Sequence, residues 1–104
     1  MNRLNGKTAI VTGGSQGIGQ AIAQMFAEEG ALVSIMDIDD DAGKQTAASI
    51  QETGGTAIFR HVDVADQKAV EEAVAFLLTE HGPIDILCNN AAYLGPSHNA
   101  LEAT

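Results

Sequence analysis

Four short runs of apolar, largely β-branched residues alternate along the chain with three longer stretches in which apolar positions recur at helical spacing. The first run, residues 8–11, leads into a glycine cluster at 13–19. Beyond it Ile18, Ile22, Met25 and Phe26 fall at helical spacing, and Gly30 is a natural C-terminal stop. The second run, 31–36, ends on Asp37; Asp39, Asp40 and Asp41 then offer an N-cap and an acidic first turn to a helix reaching about residue 53. Ala47 and Ile50 belong to its modest inner face, and Gly54–Gly55 end it. The third run is expected to span 56–64. Asp66 can cap the helix after it, whose Val70, Ala73, Val74, Leu77 and Leu78 form the strongest amphipathic stripe in the chain. His81, Gly82 and Pro83 break that helix before the fourth run, 84–88; from Asn89 onward the chain reads as loop with at most the start of a helix.

Strands joined through helices of this length must lie parallel, with right-handed crossovers. Runs that are apolar throughout, not alternating, fit a sheet covered on both faces. The fold class expected is therefore α/β, a doubly wound parallel sheet of about four strands with three crossover helices, in one domain over residues 1–104.

Composition narrows the chemistry. Apolar residues make up 45% of the 104, with no tryptophan, which suits an aliphatic core. A chain of this length buries only about 60–70% of its unfolded surface, so its stability margin is expected to be thin. A net charge of −9, from 14 acidic against 5 basic residues, speaks against nucleic acid, whose phosphates need clustered Lys and Arg. Cys88 is the only cysteine, which rules out an internal disulfide and a cysteine-rich metal site; in its apolar run it reads as a small buried hydrophobe. The first seven residues lack the apolar core of a signal peptide, and no apolar stretch approaches the ~20 residues of a membrane span. A soluble cytoplasmic protein is expected, with no membrane partner.

The glycine cluster carries the strongest chemical signal. Thr12-Gly13-Gly14-Ser15-Gln16-Gly17-Ile18-Gly19 sits between an expected strand and helix, where glycines let backbone approach a pyrophosphate and the helix N-terminus presents unpaired N–H groups. Residues 14–19 have the glycine spacing of a nucleotide-triphosphate loop, but Gln20 and Ala21 stand where Lys and Ser or Thr must reach phosphate and magnesium. The usual G-x-G-x-x-G spacing is not met either. The pattern T-G-x-x-x-G-x-G resembles the short-chain dehydrogenase/reductase family. Asp63-Val64 after the third run and Asn89-Asn90-Ala91 after the fourth match two further motifs of that family, in order and at the expected distances. The resemblance covers Gly6 to about Ala92, and implies a Rossmann-type sheet in order 3-2-1-4, truncated after strand four, with a ligand crevice between strands one and four.

Site residues follow. Gly13, Ser15, Gln16, Gly17, Ile18 and Gly19 would cradle the pyrophosphate. Asp37 ends the second strand eighteen residues past Gly19, where a carboxylate can bind the adenosine ribose hydroxyls and repel a 2′-phosphate. Ile38, not Arg, follows it, and the glycine loop has no basic residue, so NAD is preferred over NADP; the alternative role for Asp37 is helix capping, to which Asp39 and Asp40 are better suited. The resemblance assigns Asp63 to the adenine amino group with the Val64 backbone beside it; taken alone, Asp63 reads as a helix cap. It also gives Asn89, Asn90, Ala91 and Ala92 to a segment that braces the sheet and passes the cofactor's ribose, Ala92 standing where glycine is more usual.

Other constellations fail. Asp37, Asp39 and Asp41 resemble a calcium loop, but Gly43 comes one place late and Ala48 occupies the glutamate position. His61, His81 and His98 have no metal-ligand spacing. The family's proton-transferring Tyr, its Lys, its Ser and a relay Asn fall after the fourth strand, and Tyr93, followed four residues on by Ser97, is not the Tyr-x-x-x-Lys pair. No residue here is assigned catalysis. The resemblance implies an NAD-dependent oxidoreductase acting on a secondary alcohol, polyol or ketone, homo-oligomeric when complete and present here as its cofactor-binding half. The Ala91–Ala92 pair with Tyr93–Leu94 looks similar to polyol and secondary-alcohol members. The alternative is a dinucleotide-binding or interaction module without catalysis. A chain ending at Thr104 leaves strand four as an open apolar edge and helix three short of neighbours, so aggregation or marginal folding is expected.

Overall fold

The computed structural model describes residues 3–13 and 17–89. Its elements run β1 (Thr8–Thr12), α1 (Gly17–Glu28), β2 (Leu32–Asp37), α2 (Asp40–Glu52), β3 (Thr56–His61), α3 (Gln67–His81) and β4 (Ile86–Asn89). The four strands form one parallel sheet in the order β3-β2-β1-β4. This is the doubly wound, Rossmann-type arrangement expected from the motifs, with its three crossover helices. Chain direction across the sheet reverses at β1, so β1 and β4 flank a crevice at their C-terminal ends.

The core has two layers, one on each face of the sheet. On one face Ala23 and Ala27 of α1 and Ala47 and Ile50 of α2 pack on Ala9, Val11, Val33, Ile35 and Ala57. On the other, Ala73 and Leu77 of α3 pack on Ile10, Met36 and Val62. Helix three therefore does have neighbours on its sheet face; among the described residues what stays open is the strip towards β4, where Leu87 is 58% exposed.

The face that α1 turns inward differs from its apolar stripe. Gly19, Ala23 and Ala27 are buried, whereas Ile18 and Met25 are exposed and Ile22 and Phe26 half-buried. The small residues at four-residue spacing let the helix axis come close to the sheet, and side chains of isoleucine size on that line would hold it away. Gly30 closes the helix with φ +101°, and Ala31 N–H reaches back to the Phe26 carbonyl at 3.1 Å. A Cβ at Gly30 would meet the Asn5 backbone at 3.0 Å, so both the turn and the close approach demand glycine there.

Two strand boundaries fall elsewhere than the apolar runs imply. β3 ends at His61, not at 64, because its partner β2 ends at Asp37. Val62 N–H makes the last bond to the Asp37 carbonyl at 3.0 Å, and Asp63 then turns the chain, its Oδ1 accepting from Ala65 N–H at 2.9 Å. β4 begins at Ile86, not at 84, because Asp85 brackets Thr8: its Oδ2 accepts from Thr8 N–H and its own N–H donates to the Thr8 carbonyl, each at 2.9 Å. The ladder proper starts one residue on, at Ala9 opposite Ile86. Both expected N-caps are in place: Asp39 Oδ1 accepts from Ala42 N–H at 3.0 Å and Asp66 Oδ1 from Ala69 N–H at 3.2 Å.

Candidate functional site

Because all strands are parallel, residues at their C-terminal ends share one edge of the sheet. Gly13 follows β1, Asp37 ends β2, Asp63 and Val64 follow β3, and Asn89 ends β4. The predicted residues that are described therefore gather at this edge: Gly13, Gly17, Ile18, Gly19, Asp37, Ile38, Asp63 and Val64. Ser15, Gln16, Asn90, Ala91 and Ala92 lie outside the described residues.

Two glycines flank residues 14–16 between β1 and α1. Gly13 and Gly17 sit at φ +67° and +58°, a region side-chain-bearing residues rarely enter. Gly13 N–H is anchored to the Met36 carbonyl at 2.9 Å, which ties the turn to the end of β2. A Cβ at Gly17 would meet nothing within 4 Å. The first turn of α1 holds no acidic residue, whereas α2 carries Asp40 and Asp41 in its first turn. In a chain of charge −9, the α1 N-terminus thus keeps its partial positive charge uncompensated by a carboxylate of its own first turn.

Around β2 the geometry is acidic and tightly wound. Asp37 Oδ1 accepts from Ile38 N–H at 2.7 Å and from Asp39 N–H at 3.2 Å, so the turn into α2 wraps about this carboxylate. Ile38 and Ile18, 61% and 72% exposed, are the two most exposed large hydrophobic side chains among the described residues, and both lie at this edge. Val64 also lines an apolar groove between α3 and β4, along with Thr12, Met36 and Asn89.

Thr12 was not foreseen as a site residue, nor was its pairing with Asn89. Thr12, buried at the end of β1, donates its hydroxyl to Asn89 Oδ1 at 2.8 Å, joining the two strands at the crevice. Each belongs to a quoted motif, but their partnership depends on β1 and β4 being neighbours, which residue spacing does not express. Asp40 and His61 form a second such link, Oδ1 to Nδ1 at 2.6 Å. No group of three His, Cys, Asp or Glu among the described residues is arranged to hold a metal ion.

The sequence profile of the family described as short chain dehydrogenase matches residues 7–104. The chain belongs to the short-chain dehydrogenase family. An uncharacterized oxidoreductase of Thermotoga maritima is 46% identical over 91 residues, 88% of this chain and 36% of that protein. Sorbitol dehydrogenase of Cereibacter sphaeroides is 49% identical over 90 residues, 86% of this chain and 34% of that protein. Among solved structures, a hydroxysteroid dehydrogenase from Escherichia coli superposes with a TM-score of 0.84 at 40% identity, covering 90% of this chain and 40% of that one. The chain spans about a third of the length of these curated relatives. Short-chain dehydrogenases are oxidoreductases that use nicotinamide dinucleotides. No helix among the described residues is long and apolar enough to cross a membrane.

Proposed function

We propose that this chain is the dinucleotide-holding part of an NAD(H)-dependent short-chain dehydrogenase that interconverts a secondary alcohol or polyol and a ketone. The carrying observation is the C-terminal edge of the sheet. It combines a turn with Gly13 and Gly17 in left-handed conformation, a helix N-terminus without a carboxylate in its first turn, and the Asp37 carboxylate one strand away. A dinucleotide needs those features in that order, a pyrophosphate cradle and then an acceptor for ribose hydroxyls.

The residues present fit the group. Gly13, Ser15, Gln16, Gly17, Ile18 and Gly19 hold the pyrophosphate through backbone N–H groups, and Asp37 accepts from the adenosine ribose. Ile18 and Ile38 supply apolar walls for the flat faces of the adenine ring, which accounts for their exposure. Asp63 and Val64 take the adenine edge, and Asn90, Ala91 and Ala92 are assigned to the cofactor's ribose. When bound, the nicotinamide ring supplies the hydride acceptor or donor. The acid–base groups that move the hydroxyl proton are assigned to chain beyond this part, so the polypeptide alone is expected to show no turnover. Steady-state assays with NAD and a panel of polyols and secondary alcohols check this, and turnover by protein of confirmed intact mass would overturn it.

NAD over NADP is supported by Asp37, whose carboxylate would face a 2′-phosphate, and by the absence of Lys and Arg from residues 12–19 and 37–43. Asp37→Ala is expected to narrow the preference for NADH over NADPH by about ten-fold, or 1.4 kcal/mol. Dissociation constants from amide chemical-shift titrations measure it; an unchanged ratio would remove Asp37 from the site. The polyol or secondary-alcohol class is supported by the likeness to the protein named sorbitol dehydrogenase. A homo-oligomeric complete enzyme is part of the proposal. So is a cytoplasmic compartment, supported by the single cysteine.

A further inference from the structure

Asp37 and His61 are the last residues of their strands and stand opposite each other in the β2–β3 register. Paired residues project to the same face of the sheet, so both side chains lie on the α2 side, as do Ile35 and Phe59 two pairs earlier. From Asp37 the chain turns through Ile38 and Asp39 into α2, with the Asp37 carboxylate at the centre of the turn. The first residue of α2, Asp40, then reaches across 21 positions of sequence to His61, Oδ1 to Nδ1 at 2.6 Å. A carboxylate oxygen can only accept, so Nδ1 carries the hydrogen and donates it.

The turn that carries Asp37 is thus held at both ends. Its start is fixed by the β2–β3 ladder, and its far end by the Asp40–His61 pair. Among the described residues β3 is an edge strand with β2 as its one strand neighbour. We propose that Asp40 and His61 form a clasp that positions Asp37 and so helps decide between NAD and NADP. With the clasp closed, the carboxylate stays within reach of a 2′-hydroxyl and leaves no room for a 2′-phosphate. With it open, the turn can swing back and the phosphate is accommodated. This assignment rests on the dinucleotide reading of Asp37.

A clasp and a simple local field differ in the sign of their effects. If only charge mattered, Asp40→Ala would remove negative charge and narrow the preference for NADH, while His61→Ala would leave Asp40 unpaired and widen it. A clasp requires both alanine variants to narrow the preference, and the double variant to do no more than either alone. Asp40→Asn keeps an acceptor for the Nδ1 hydrogen and must retain the wild-type ratio. Both partners are more than half exposed, at 59% and 53%, so folding should survive and the effect should be about two- to five-fold.

The experiment is an amide chemical-shift titration of the 104-residue chain with NADH and with NADPH, in wild type, Asp40→Ala, His61→Ala, the double alanine variant, Asp40→Asn and Asp37→Ala. The expected result is the same two- to five-fold narrowing in the three alanine variants of the pair, with Asp40→Asn at the wild-type ratio. Opposite signs for the two single alanine variants, additive effects, an Asp40→Asn that behaves as Asp40→Ala, or no change would each overturn the clasp. If Asp37→Ala alone moves the ratio, the dinucleotide reading stands and only the clasp falls. If Asp37→Ala leaves the ratio unmoved, the reading beneath it falls as well.

Discussion

Among the described residues the Thr12 hydroxyl has two acceptors near it, Asn89 Oδ1 at 2.8 Å and the Cys88 carbonyl at 3.4 Å, and the shorter contact takes the hydrogen. The bond crosses from the first strand to the last at the mouth of the crevice, so it acts on the site and on the sheet together. Thr12→Val keeps the shape and removes the donor. A loss of about 0.5–1.5 kcal/mol in unfolding free energy is expected, read from the urea midpoint, because Asn89 is exposed and can turn to water. The neighbouring acids show how far residue type alone can be read. Asp37, Asp39 and Asp40 are chemically alike in sequence, yet one centres a turn, one caps α2 and one reaches His61. The cap was legible, because an N-cap is a local relation over three residues. The reach to His61 was not, because it depends on two strands ending level. Asp63, which alone reads as a cap, makes an Asx turn to Ala65, and the cap belongs to Asp66.

Helix α2 has to lie close to β3 for that reach to exist, and Gly43 is what permits it. A Cβ at Gly43 would run into the Phe59 ring, which packs on the core formed with α1 and α2. Alanine is normally worth up to about 1 kcal/mol over glycine inside a helix. Here overpacking, which costs about 1–3 kcal/mol, opposes that gain. Gly43→Ala is therefore expected to destabilise the chain by about 1 kcal/mol, measured by the urea midpoint, where an exposed helical glycine would show the reverse sign. The periodicity of α2 was legible in sequence, but this glycine stood out only as a failed position in a calcium loop. In α1 an apolar stripe was legible while the buried face was not. Hydrophobic spacing identifies a helix; the distance at which the helix settles selects which side is buried, and here small residues win.

Among the described residues the sheet leaves one region uncovered. Beyond β4 no further strand pairs among the described residues, and a groove of about 270 Å³ between α3 and β4 is lined by Ile10, Met36, Val70, Val74, Ile84 and Leu87 together with three residues of the site edge. An open parallel edge beside an apolar groove is a surface that promotes association. Self-association of this polypeptide at micromolar concentration is expected in sedimentation velocity, and Leu87→Lys should reduce it by placing a charge at the most exposed apolar position of β4. A monomer at all concentrations would contradict that picture. The covered part of α3, with Ala73 and Leu77 on Ile10, Met36 and Val62, shows that this face is not bare, contrary to the expectation from chain length.

Element types, their order, both N-caps, the glycine stop of α1 and the gathering of motifs at strand ends were all present in the amino-acid string. Each is a relation among residues close in sequence, or follows from the parallel topology that such alternation enforces. Strand ends at His61 and Ile86, the inward face of α1, the Thr12–Asn89 bond and the Asp40–His61 pair came from the folded chain alone. A ladder stops where its partner stops, a helix buries the side that lets it come closest, and a side chain bonds to whatever the topology sets beside it. Those relations join residues up to 77 positions apart, a separation over which spacing carries no information.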